Sequence, residues 1–263
     1  MNLAKEYNLD LIEESCASTK EFICGTEYEI ENILKVNLKG FNGAGSSVSW
    51  FGDLGAITDG SLRNKGIEFV TRPVTFERAL VLFDVLHGGL ELGPEPYTTR
   101  TSTHVHVNVA SMSSHQLKHF VLLYALFEPV FFNYVGDARK HNIHCVPLNY
   151  TLLPKHYGCS ASYLVDIWSK YTAFNLKPVK TQGTVEFRHL YGTGDKQVYQ
   201  QWLSMLKELW SFAFNNKHSW LKDQLKEKTS PKDILMQVLP SAPISSWNMD
   251  FSDSLIDVKL AFV

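Results

Sequence analysis

The stretch GTEYEIE, residues 25–31, puts Glu27, Glu29 and Glu31 on every second position. In a strand, successive side chains point to opposite faces, so these three carboxylates share one. Like charges held that close repel, and an unpaired buried carboxylate either costs several kcal/mol or takes up a proton. Three further stretches repeat the pattern. GIEFVTRP sets Glu68 between Ile67 and Phe69, and STHVHVNV sets His104, His106 and Asn108 opposite Val105, Val107 and Val109. TVEFRHL sets Glu186, Arg188 and Leu190 opposite Val185 and Phe187. Carboxylates are hard oxygen ligands suited to Mg²⁺ or Mn²⁺, and one or two imidazoles move the preference towards Mn²⁺. One polar sheet face gathering these groups around divalent cations would neutralise the glutamate row. Taken singly the motifs are weak. Alternating glutamates are common on solvated sheet faces, and a strand Glu-Arg pair is usually a surface ion pair. The His-x-His strand is more specific. His115, His119, His141, His144 and His156 read as surface or loop residues, and His87 as a group favouring a helix C-terminus.

Those faces need elements to position them. The alternation predicts strands over 22–31, 66–72, 103–110 and 183–190, with shorter ones near 48–51 and 55–58, and a turn at Asp59-Gly60-Ser61. Thr75 is the N-cap of a helix carrying Phe76, Leu80, Phe83 and Leu86 on one face and stopped by Gly88-Gly89. Ser113-Ser114 cap an apolar helix that Pro129 should kink or end. Residues 130–160 read as short helices and loops, and SYLVDIWSKY as a short helix. Asp195 caps a long helix with Val198, Trp202, Met205, Leu206 and Leu209 inward, and Ser230-Pro231 opens another. Strands that alternate rather than run uniformly apolar favour an antiparallel sheet with one wet face and helices behind it, an α+β fold. The expected division is an α+β domain over 1–215 and a helical extension over 216–263 packed on it. The Gly/Ser loop at 41–47 lacks the Gly-Lys-Ser/Thr ending of a phosphate loop. Together with the His-rich stretch 136–160 it is a candidate lid.

Bulk properties exclude more than they assign. The chain has 263 residues, 44% hydrophobic and 13% aromatic, enough for a sizeable core. A formal net charge of −2 argues against a nucleic-acid or membrane-surface partner. The opening MNLAKEYNLDLIEES holds no secretory apolar region, and no apolar run approaches the ~20 residues of a membrane span. Cys16, Cys24, Cys145 and Cys159 show no CxxC spacing and read as reduced, buried thiols, so a cytoplasmic location is expected.

The order GxExE, DGSLRNKGIEFVTRP, THVHVN, TVEFRHLYGT, between about residues 22 and 210, resembles the amidoligase family, a branch of the carboxylate–amine ligases with a glutamine-synthetase-like fold. The resemblance implies a sheet whose polar face binds ATP and Mg²⁺ or Mn²⁺, and ATP-dependent joining of a carboxylate to an amine, each a small molecule, peptide or protein group. It implies Glu27, Glu29, Glu68, His104 and Glu186 as metal ligands, and His106 nearer the nucleotide phosphates. Arg188 would meet the transferred phosphoryl group, with Arg63 and Arg100 as further phosphate or carboxylate binders. Asp59 or a free glutamate would be the base, and Asn175 and Lys177 would be polar site residues. No separate domain is expected before Glu27, so neither ring assembly nor ammonia as the amine is inferred. Two other functions fit the same residues: a metal-dependent hydrolase using His104 and His106 with Glu68 or Glu186, and a binding protein without chemistry. A solvated polar sheet face is the plainest reading.

Overall fold

The computed structural model describes residues 1–148, 158–243, 245–246 and 249–262. Its strands are β1 (Ile23–Ile30), β2 (Ile33–Val36), β3 (Ser49–Phe51), β4 (Leu54–Ile57), β5 (Ile67–Thr71), β6 (Val74–Thr75), β7 (Leu90–Leu92), β8 (Thr103–Asn108), β9 (Phe174–Asn175) and β10 (Thr184–Phe187). Its helices are α1 (Leu3–Tyr7), α2 (Phe76–Gly88), α3 (Ser114–Val135), α4 (Ala161–Ile167), α5 (Val179–Gln182), α6 (Lys196–Asn215), α7 (Trp220–Lys226), α8 (Pro231–Val238) and α9 (Ser252–Leu260). An eight-stranded sheet runs in the order β3-β4-β5-β1-β8-β10-β9, with β6 also on β1. Every pairing between its strands is antiparallel. β2 and β7 form a separate pair. The fold is α+β.

Period-2 alternation sorts the side chains of the central strands. Tyr28 on β1, Phe69 on β5, Val105 and Val107 on β8, and Val185 and Phe187 on β10 are buried against helices. Behind the sheet, Phe187 meets Phe120 and Phe131 of α3 and Trp202 of α6 edge-on or tilted. Phe83 of α2 stacks on Tyr199 of α6 at 4.7 Å. Two β1 groups facing the helices are polar, and both reach Tyr199. Thr26 lies 2.8 Å from its hydroxyl, and Tyr28 donates to it at 2.9 Å.

The caps form where the residue types demand. Thr75 accepts from Arg78 N–H, Ser113 makes a capping box with Gln116, Asp195 accepts from Gln197 and Val198, and Ser230 accepts from Asp233. Of the two outcomes expected at Pro129, the helix end does not occur: α3 runs on to Val135. Proline inside a helix forfeits a hydrogen bond and costs ~3 kcal/mol. Here residues on every side of α3, from Leu117 to Phe132, are buried, and that packing outweighs the loss. The stretch 130–135 is therefore helix rather than loop. The His-rich stretch lies partly outside the described residues, His156 included.

Candidate active site

β1 is the central strand of the site, because β5 and β8, paired on either side of it, each bring a motif to it. Across β5, Glu29 sits directly opposite Glu68. Across β8, Glu27 sits opposite His104, and His106 in turn sits opposite Glu186 of β10. Glu186 is opposite Asn175 of β9. One continuous band across five strands therefore carries Glu68, Glu29, Glu27, His104, His106, Glu186 and Asn175.

Within that band the groups meet. His104 Nδ1 is 3.0 Å from Glu27 Oε2 and 3.5 Å from Glu186 Oε1, and His106 Nε2 is 3.1 Å from Glu27 Oε1. His106 Nδ1 is 3.0 Å from Thr184 Oγ1, which fixes the ring with its other nitrogen towards the carboxylates. Two groups have ligand atoms within 4.8 Å of one another, as a divalent ion requires: Glu27 with His106 and Glu186, and Glu29 with Asp59 and Glu68. His106, expected beside the phosphates, thus joins the first group, with His104 alongside it. Asp59, expected as a base, joins the second.

The electrostatics differ between the two groups. Burial pushes the Glu27 carboxyl up, but the His106 and His104 imidazoles more than reverse this and hold it well below the usual range. His106 is raised in return, since Glu27 outweighs its burial. The second group has no such partner of its own. Burial, then Glu27, Glu29 and Asp59, push Glu68 up to about 8, and burial raises Glu29 although His104 opposes it. Without a cation, Glu68 keeps its proton at neutral pH.

Beside Glu27 and His106 the polar face gives way to a cavity of about 240 Å³. Its floor is Gly25, Asn108 and Thr184, and its walls include Ile12, Ile23, Val48, Trp50, Val70 and Pro73. Gly25 is what opens it: a Cβ there would meet only the Thr71 carbonyl, at 3.6 Å. Asn108 holds the wall in place by donating to the Cys16 carbonyl at 3.0 Å. The Gly/Ser loop at 41–47 lines none of this cavity. Instead, Gly45 O accepts from both Thr58 N–H and Oγ–H at 2.9 Å, fastening the loop beside β4.

Compared with known protein families, residues 49–210 match the model of the family described as "putative amidoligase enzyme". The chain belongs to this amidoligase family. No curated protein matches it. The matched span of this amidoligase-family chain contains Asp59, Arg63, Glu68, Arg100, His104, His106, Glu186 and Arg188, while Glu27 and Glu29 lie before it. Ligase chemistry in general is what the family supports.

The remaining sequence candidates divide. Arg188 pairs with Glu186 and donates Nε–H to the His144 carbonyl at 2.9 Å, so it lies in the band. Asn175 donates to Glu186 Oε2 at 2.7 Å and so joins the band, whereas Lys177 turns away to the Asp166 carbonyl at 2.5 Å. Arg63 and Arg100 are exposed, on loops beyond the Glu29 end. Arg139 carries no sequence signal. It is only 6% exposed and donates to the carbonyls of Arg188, at 2.6 Å, and His189, at 2.7 Å, fixing the backbone that carries Arg188. Trp50 and Ile12 were missed as well, because a cavity wall has no sequence period.

Proposed function

We propose that this chain is an ATP-dependent carboxylate–amine ligase that activates its acid as an acyl phosphate. The observation that carries the reading is the band across β5, β1, β8, β10 and β9, in which two groups of hard-ligand side chains lie side by side next to a cavity. The donor sets suit divalent cations: one is all carboxylate, and the other is two carboxylates with an imidazole. The first would be held by Glu27 and Glu186 with His104 or His106, the second by Glu29, Glu68 and Asp59. Mg²⁺ or Mn²⁺, when bound, would screen the phosphate oxygens and align them.

The protein's own groups then have definite tasks. The cavity over Gly25 takes the flat nucleotide base against Trp50 and Val48, setting the triphosphate over Glu27 and His106. Arg188, planar and permanently charged, faces the γ-phosphoryl oxygens as the carboxylate attacks phosphorus and ADP leaves. Arg139 keeps it there through the backbone. Attack of the amine on the acyl carbon then expels phosphate, and its proton passes to Asp59, where that carboxylate does not hold the cation, or to a free glutamate of the sheet face. A glutamine-synthetase-like fold and a cytoplasmic setting belong to this reading. The hydrolase alternative uses the same ions but gives no role to the cavity beside them.

The test is calorimetric titration of a non-hydrolysable ATP analogue into the protein with Mn²⁺. Binding should depend on Mn²⁺ and weaken at least tenfold in Glu27→Gln and Glu68→Gln. Mn²⁺ uptake without analogue binding would favour the hydrolase, and no uptake at all would leave only a solvated sheet face.

A further inference from the structure

The cavity over Gly25 has one wall that does not belong to the sheet. Asp10, Leu11, Ile12, Glu13 and Cys16 line it from the segment that runs between α1 and the far end of the 3₁₀ turn Glu14–Ala17. Both ends of that segment are fastened. Ahead of it, Leu3 and Ala4 N–H donate to the Met112 and Ala110 carbonyls at 2.8 and 2.9 Å. At its far end, the Cys16 carbonyl accepts from Asn108 at 3.0 Å, and the Ala17 carbonyl from Asn2 at 2.6 Å. The middle is free of such ties: Asp10, Leu11 and Ile12 make no backbone hydrogen bond among the described residues. Asn8, where the chain leaves α1, stands in the left-handed region at φ 52°. A run without ladder or helix bonds opens locally at little cost.

Two side-chain contacts hold this run against the cavity. Leu9 and Leu11 lie on Gly183, where a Cβ would come within 3.0 and 3.1 Å of their methyls, so glycine leaves them room. The Glu13 carboxylate is 4.0 Å from Arg72 Nη1, and the Arg72 guanidinium lies over Trp50, 4.6 Å from the ring centroid. Arg72 N–H donates to the Asp53 carbonyl at 2.9 Å, which anchors that residue beside the sheet. An ion pair this long between partly exposed groups is weak, so thermal motion opens it readily. Ile12 is 63% exposed although it lines the cavity, and Trp50 is 37% exposed. Large apolar side chains left in water at a cavity are surface that a bound ring covers.

We infer that residues 9–13 form a gate over the cavity, opened by release of the Glu13–Arg72 pair, and that Ile12 is a binding residue that closes onto the occupant. This rests on the reading above that the cavity takes the nucleotide base, and adds how the base enters and leaves.

The test is stopped-flow binding of a fluorescent, non-hydrolysable ATP analogue to the full chain with Mn²⁺. Glu13→Gln removes the charge of the latch and keeps its shape. It should raise the association and dissociation rates together, by about two- to fivefold for a pair this exposed, and leave Kd within about twofold of the wild type. Ile12→Ser should act differently. Its melting temperature should match the wild type, because the side chain is exposed in the free protein, while analogue Kd weakens about five- to tenfold through faster dissociation. Rates in Glu13→Gln equal to those of the wild type, or a change in one rate alone, overturn the gate. An Ile12→Ser Kd equal to that of the wild type overturns the contact. In either case, analogue binding by the wild type leaves the ligase reading standing. A wild type that binds no analogue overturns that reading, and this inference with it.

Discussion

In the proposed mechanism Arg188 is the side chain that meets the transferred phosphoryl group. Its charge is met by Glu186, its Nε–H by the His144 carbonyl, and its own carbonyl by buried Arg139. Preorganised donors of this kind are worth ~3–4 kcal/mol of barrier when aimed at developing charge. Arg188→Ala should therefore lower ATP turnover by at least 100-fold, on the ~10²–10³-fold scale of a lost oxyanion donor, with a far smaller change in the denaturation midpoint. Equal turnover in variant and wild type would remove Arg188 from the mechanism. Gly25 tests the other end of the band. Its Cβ has room, so Gly25→Val should fold, but the added methyls would occupy the cavity. Nucleotide-analogue affinity should fall tenfold or more while Mn²⁺ uptake stays as in the wild type. Unchanged analogue affinity would put the base elsewhere.

At the scale of elements, the α3–α6 contact holds a titratable group that has nothing to do with the site. His119 is fully buried on α3 beside Phe212 of α6, and neither ring nitrogen makes a well-formed hydrogen bond among the described residues. Burial pushes it down from an ordinary 6.5 to about 4, and the nearby Ala213 carbonyl offsets this only in part. The folded state therefore holds its proton less tightly than the unfolded chain does. Its contribution to stability is complete above about pH 6.5 and is lost as pH falls towards 4, on the order of 3 kcal/mol. His119→Phe should match the wild type within ~1 kcal/mol at pH 7.5 and exceed it at pH 4.5, as read from urea midpoints. Parallel pH dependence in the two proteins would show that His119 is not the group responsible.

For the whole molecule, the polar band matters because it joins distant parts of the chain. Residues 27 and 186 meet only when β1, β8 and β10 are side by side, so ions bridging them would bind the folded state alone. Saturating Mn²⁺ should raise the unfolding free energy, by about 2.7 kcal/mol for one site at a hundred times its dissociation constant. A thermal melt in EDTA against one in Mn²⁺ measures this, and coincident melts would deny the cation sites. No helix among the described residues is long and apolar enough to cross a membrane.

The primary structure determined by itself which residues face together. Alternation in four short stretches separates Glu27, Glu29, Glu68, His104, His106, Glu186 and Arg188 from Tyr28, Phe69, Val105, Val107 and Phe187, because a strand has a fixed period of two. The helix starts at Thr75, Ser113, Asp195 and Ser230 were equally local, each resting on one side-chain oxygen reaching its own first turn. Period says nothing about neighbours, however. That β1 lies between β5 and β8 was decided by tertiary pairing, which divided the candidate ligands into two groups and brought Asp59 and His106 into them. The same long-range packing carried α3 through Pro129, buried Arg139 behind Arg188, opened a cavity over Gly25 and turned the Glu31 carboxylate to Arg63 N–H and the Thr98 hydroxyl. Each of these depends on groups far apart in the chain that share no repeat, so only the folded arrangement could bring them together.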